Sequence, residues 1–178
     1  MANFTVTNTT AIGGGNAQAA ITTTYKTQLL IGNSTTSGAT VTGMLRRGKL
    51  YDLTLGTAGA PADNYYEYDI CRVTMGTSST LAGNISSLSS NFGVDGSDNG
   101  GAIACIGTNS SIETAFSALT EVFYMGVNQR ATYRWVANPG SEFVYPAASS
   151  ATGINGFAIR ARSGAGTVSV TTSLLFSE

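Results

Sequence analysis

INGFAIRARSGAGTVSVTTSLLFSE, residues 154–178, carries the clearest pattern in the chain. Phe157, Ile159 and Ala161 alternate with Arg160 and Arg162, and a period of two assigns the two sets to opposite faces of a β-strand. Beyond Gly164 the alternation resumes: Val168, Val170 and Thr172 lead to Leu174 and Phe176. Gly153, Gly156 and Gly164 punctuate these last strands. The pattern predicts strands over 154–162 and 167–176.

Working back along the chain, similar short runs recur between Gly, Asn, Ser and Pro clusters. Strands are predicted over 121–125, 131–137 and 142–145, with Tyr133 and Trp135 on one face. Others are predicted over 4–7, 20–31, 45–55, 66–75 and 102–106. In the 66–75 run the apolar set Tyr66, Tyr68, Ile70, then Val73 and Met75, changes parity once, which predicts a bulge. Residues 76–101 read as a long exposed connection with at most one short strand. Ser110-x-x-Glu113 before Ala115, Phe116 and Leu119 fits a capping box for one helical turn or two, or an extended loop. About eight to ten strands in one chain predict an all-β fold: an antiparallel β-sandwich, jelly-roll-like, forming a single domain over residues 1–178 with a short N-terminal arm (about 1–18). No fixed-period repeat suggests a propeller or β-helix.

Composition agrees. The 178 residues include 25 Thr, 19 Ser and 22 Gly, while Lys26 and Lys49 are the only lysines. Thr favours pleated surfaces and Gly marks turns. Charged residues are 11% of the chain, under half the roughly 25% usual in soluble domains. A net charge of −1 offers no basic footprint for nucleic acid, and weak charge protects a lone monomer poorly against association. The opening MANFTVTNTT has neither a basic nor an apolar leader region, so no secretory signal is expected. No apolar run approaches the ~20 residues of a membrane span.

The search for chemistry is mostly exclusion. The chain has no histidine, which removes the commonest general base, the Ser/His/Asp and Cys/His nucleophile arrangements and the usual zinc ligand. Cys71 and Cys105 are too few for a disulfide framework and read as two reduced, partly buried thiols. Asp95-x-Ser97-x-Asn99-Gly100 matches the first half of a calcium loop, but Ile106 stands where the bidentate Glu belongs. Gly13-Gly14-Gly15 lacks the Lys-Ser/Thr of a phosphate loop. No catalytic residue, cofactor site or metal site is therefore expected, and the chain is not read as an enzyme. One ligand patch is a candidate: Asp63, Tyr65, Tyr66, Glu67 and Tyr68, with Asp69 close by, carboxylates among aromatics, the materials of a sugar-binding cleft. The plain alternative is a strand with partly packed tyrosines and solvated acids. Arg134, Arg160 and Arg162 project opposite the apolar faces and read as solvated strand residues or as a surface for an acidic partner.

Residues 127–147, VNQRATYRWVANPGSEFVYPA, resemble a stretch common in small structural proteins of tailed bacteriophages: Asn-Gln-Arg-Ala-Thr-aromatic-Arg-Trp-Val-Ala, then Pro-Gly-Gly-Glu and a Pro-Ala step. Asn128, Gln129, Arg130, Tyr133, Arg134, Trp135, Pro139, Gly140 and Glu142 carry the likeness, and Ser141 departs from it where a second Gly is usual. Fainter echoes are Arg47-Gly48-Lys49-Leu50-Tyr51-Asp52-Leu53 with Pro61-Ala62-Asp63, and the closing strand ending at Glu178. The resemblance implies a virion protein of the capsid decoration (cement) type, made in the host cytoplasm and seated on the capsid surface. Its implied partners are the major capsid protein and itself, as a homotrimer, with no nucleic acid and no membrane. It brings no catalytic residues. The N-terminal arm and the 76–101 connection are the expected contact segments. The alternatives are a phage tail or fibre component that binds carbohydrate, and a non-viral β-sandwich binding module.

Overall fold

The computed structural model describes residues 3–8, 20–33, 48–58, 63–75, 92–93, 103–108, 116–145, 154–164 and 168–177. Strands among them are β1 (Asn3–Thr7), β2 (Ala20–Ile21), β3 (Lys26–Asn33), β4 (Gly48–Ala58), β5 (Tyr65–Met75), β6 (Phe92–Gly93), β7 (Ile103–Thr108), β8 (Ala118–Asn128), β9 (Tyr133–Val136), β10 (Phe143–Tyr145), β11 (Ile154–Ser163) and β12 (Val168–Ser177), with no helix among the described residues. They form two antiparallel sheets. The first runs β10-β4-β12-β1-β6, with β9 also on β4 and β2 also on β12; the second runs β7-β3-β11-β5-β8. β9 and β10 follow one another along the same edge of β4, and β1 and β2 along the same edge of β12, so each sheet is five strands wide. The all-β sandwich predicted from the sequence is the architecture found.

One core lies between the sheets. Phe4, Leu50, Leu53, Leu174 and Phe176 face Leu29, Ile31, Tyr66, Tyr68, Ile70, Phe157 and Ile159, all buried. The alternation of β12 is the cause: Val168, Val170, Thr172, Leu174 and Phe176 point inward while the residues between them are half-buried outside. Tyr68 ties the layers together, its hydroxyl donating to the carbonyls of Gly56 (3.3 Å) and Thr171 (3.1 Å) across the core.

The strand expected over 4–7 is present within the segment also read as an arm: β1 pairs with β12 from Asn3↔Ser177 to Thr7↔Ser173 and buries Phe4 and Val6. Asn8 ends β1 by taking over the ladder with its side chain, donating to the Val170 carbonyl (3.0 Å) and accepting from the Thr172 amide (2.7 Å). The parity change in β5 is not a bulge in that strand, which pairs with β11 without interruption from Tyr66 to Met75. Cys71 and Val73 instead face outward, into a second cluster with Leu30, Ala158 and Phe116. The bulge lies on β8, where Ile70 pairs with Phe123 and Cys71 with Glu121, leaving Val122 as the extra residue.

Close backbone approach sets one pair of glycines. Gly32 and Gly156 pair across β3 and β11, and a Cβ on Gly156 would fall 2.0 Å from the Ile31 carbonyl oxygen. Of the capping box, Ser110 and Glu113 lie outside the described residues, while Leu119 belongs to β8. Residues 13–15 and 95–100 also lie outside them.

Candidate functional site

Among the described residues the densest polar chemistry sits on the outer face of the second sheet, β7-β3-β11-β5-β8. In the antiparallel register of β5 and β11, Glu67 is opposite Arg162 and Asp69 opposite Arg160. Each pair closes. Arg160 donates from Nε to Asp69 Oδ1 (2.9 Å) and from Nη2 to Oδ2, and Arg162 donates from Nε to Glu67 Oε2. Asp69 is fully buried, and the Arg160 side chain is only 12% exposed. A buried carboxylate requires such a partner, because an uncompensated charge in this setting costs several kcal/mol.

Tyrosines surround the pairs. Tyr25, in the turn between β2 and β3, lies under both guanidiniums, whose carbons are 4.6 Å (Arg160) and 4.7 Å (Arg162) from its ring centroid. Its hydroxyl donates to Glu67 Oε2 at 3.3 Å. Burial, then the nearby Asp69 charge, pushes the Tyr25 hydroxyl up to about 12. Tyr124 stands opposite Asp69 on β8, and Glu67 close to its hydroxyl pushes that hydroxyl up from its ordinary value. The Arg162 hydrogen bond is the main cause holding the Glu67 carboxyl below its ordinary 4.5.

The candidate ligand patch does not assemble as five residues. Period two sends Tyr66 and Tyr68 into the core and leaves Tyr65 and Glu67 outside. Tyr66 donates to the Ala131 carbonyl (3.3 Å), and burial pushes its hydroxyl up to about 12. Asp63 is exposed and pairs with Arg130 at 2.6 Å. The acids expected to be solvated, Glu67 and Asp69, are buried and paired. The three arginines likewise find their acidic partners within the chain, Arg134 gripping Asp52 through Nε (3.1 Å) and Nη2 (2.5 Å).

The segment resembling virion proteins forms the passage from one sheet to the other. Asn128 ends β8; its carbonyl accepts from the Ala131 amide (2.9 Å) and its Oδ1 from the Arg130 amide (2.9 Å). Gln129 is buried, and its amide donates to the Asn64 carbonyl at 2.8 Å. β9 then pairs with Asp52–Leu55 of β4, and β10 with Gly48–Leu50 farther along the same strand. They are one edge strand interrupted by a tight turn at Asn138–Ser141, where Gly140 adopts φ +85° and Ser141 donates to the Asn138 carbonyl. Glu142 accepts from the Gly140 amide at 3.1 Å. Trp135 and Phe143 flank the interruption and stack, centroids 4.6 Å apart and planes 6° from parallel.

Cys71 is a free, buried thiol that burial pushes up to about 12. The Cys105 side chain lies outside the described residues, but its backbone is on β7, three strand spacings from β5. At roughly 4.8 Å per spacing the two cysteines stand about 14 Å apart, beyond disulfide reach. Among the described residues no group of three His, Cys, Asp or Glu side chains gathers to hold a metal ion. No protein-family model matches the chain, and no curated protein or solved structure matches it either.

Tyr25 and Tyr124 are the members of this face that the sequence reading did not name. The pairing had a signal in the sequence: Glu67-x-Asp69 and Arg160-x-Arg162 are complementary charges at the same period of two.

Proposed function

We propose that the chain is a structural protein of a tailed-bacteriophage particle, a decoration (cement) protein. It binds the outer surface of the major capsid protein shell as a homotrimer and stabilises that shell. The observation that carries this reading is the placement of the resembling segment. From Arg130 to Ser141 every residue except Trp135 and Ala137 is exposed, yet the backbone is fixed by β4, by the Asn138 turn and by the Arg134–Asp52 pair. Ordered, exposed residues are what a contact surface needs. The strand order gives further support: β1-β12-β4-β9/β10 facing β3-β11-β5-β8 fits a jelly-roll winding, with β6 and β7 added one to each sheet between β5 and β8.

Four of the nine basic residues, Arg130, Arg134, Arg160 and Arg162, pair with carboxylates of the same chain. Shell binding on this reading rests on shape and hydrogen bonds and survives molar salt, where exposed charges are screened beyond about 3 Å. The deciding experiment is immunogold electron microscopy of particles from the source with antibody against this protein. Gold spread over the heads is the expected result. Gold confined to tails, or unlabelled particles, would overturn the reading.

A further inference from the structure

We propose that the outer face of the β7-β3-β11-β5-β8 sheet around Tyr25, Tyr65 and Tyr124 is a binding platform for neutral carbohydrate. The proposal goes beyond a capsid role and stands whether the protein sits on heads, on tails or elsewhere.

The aromatic rings are fixed rather than loose. Tyr65 is 47% exposed, but its ring spans the space between two glycines. A Cβ on Gly126 would lie 3.3 Å from its Cε2, and one on Gly164 would lie 2.6 Å from its Cδ1 and Cε1. The neighbouring strand positions thus leave room for this ring and hold both its edges. Tyr124, also 47% exposed, is two residues from Gly126 on the same face and stands opposite Asp69. Tyr25 is held by two guanidiniums and the same carboxylate. Aromatic side chains already ordered lose little entropy when a ligand stacks on them.

The charges select the ligand class. Two cations and two anions close into pairs, Arg160 with Asp69 and Arg162 with Glu67, so the face is polar without net charge. An anionic ligand would compete with those carboxylates, and a cationic one with the guanidiniums. A neutral pyranose ring fits instead: its C–H face stacks on a tyrosine, while its hydroxyl rim meets the Arg162 guanidinium, 43% exposed at the edge of the tyrosines. None of these three rings is part of the core between the sheets.

The test is titration calorimetry of the full chain with neutral hexasaccharides (gluco-, xylo-, manno- and galacto-configured), alongside an array of neutral and anionic glycans. At least one neutral glycan is expected to bind. Tyr65→Ala and Tyr124→Ala are each expected to weaken it about tenfold, the worth of one stacked ring. Tyr133→Ala, a comparably exposed tyrosine on the other sheet, leaves binding unchanged. Circular dichroism and melting curves confirm that each variant is folded. The proposal is overturned if no neutral glycan binds up to about 10 mM, well above the weakest useful affinities. It is equally overturned if binding survives the double Tyr65→Ala/Tyr124→Ala variant, or if only anionic glycans bind and salt abolishes that binding.

Discussion

Removing the Asp69 carboxylate tests whether the outer-face ion pairs are interior in character. Asp69 is wholly inaccessible, Arg160 is 12% exposed, and two hydrogen bonds join them. Asp69→Ala takes the bidentate acceptor from a guanidinium with little access to water. Breaking a buried pair from one side costs about 3–5 kcal/mol, a large share of the roughly 5–15 kcal/mol that stabilises a domain. At about 2–4 °C per kcal/mol for a chain of this size, the melting temperature should fall by about 6–20 °C. The assay is urea unfolding followed by circular dichroism and by the fluorescence of Trp135, the single tryptophan. The second arm is the double variant Asp69→Leu/Arg160→Met, which replaces both charges with apolar groups and should recover most of the loss. A single-variant loss under about 1 kcal/mol would show a pair as weak as an exposed one, and the reasoning would fail. A double variant no better than the single would assign the cost to lost packing instead of stranded charge.

Three further outcomes are expected. Trp135→Ala should destabilise the fold by about 2–3 kcal/mol, below the 3–5 of a fully buried Trp or Phe, because the indole is half-buried on Phe143; denaturation read by circular dichroism decides, and an unchanged midpoint refutes it. The Glu67 carboxyl is held below 4.5 in the folded state, so its contribution is present above that value and is lost as pH falls through the lowered folded one. The urea midpoint should therefore drop on acidification, and Glu67→Gln should be less stable near neutrality with a shallower drop; an identical pH profile would contradict this. The Cys71 thiol, buried and pushed up to about 12, should resist iodoacetamide in the folded protein and react in urea, as peptide mapping would show.

The fold was readable where alternation was unbroken. β11 and β12 follow their period-two pattern almost to the residue, and the core faces of both come directly from it. Non-local pairing hid the rest. Nothing in Glu121–Met125 marks Val122 as a bulge, because the extra residue exists only relative to β5. The Asn138–Ser141 turn reads as a link between separate strands, and only the shared edge of β4 makes β9 and β10 one interrupted strand. The ligand patch divides between two faces for a simpler reason: it grouped neighbours in sequence, whereas a strand separates Tyr65 and Glu67 from Tyr66 and Tyr68. Tyr25 reaches Glu67 across 42 positions through a turn, and no local pattern announces it.

The same alternation gives the outer-face charges a structural consequence. The chain has nine basic and ten acidic residues, and four of these nineteen form one adjacent block on β5 and β11. Buried pairs stabilise less than apolar groups of equal volume, so raw stability does not explain them. Register does. Slipping β5 by one residue against β11 would turn Glu67 and Asp69 into the apolar core and Tyr66 and Tyr68 out of it. Slipping by two would keep the faces but place Asp69 opposite Arg162, leaving Glu67 and Arg160 without their present partners. The two pairs therefore penalise both errors, while the core alone penalises only the first. A face locked in this way also keeps Tyr65, Tyr124 and Tyr25 at fixed spacing, which a stacking surface requires and an ordinary solvated strand face does not.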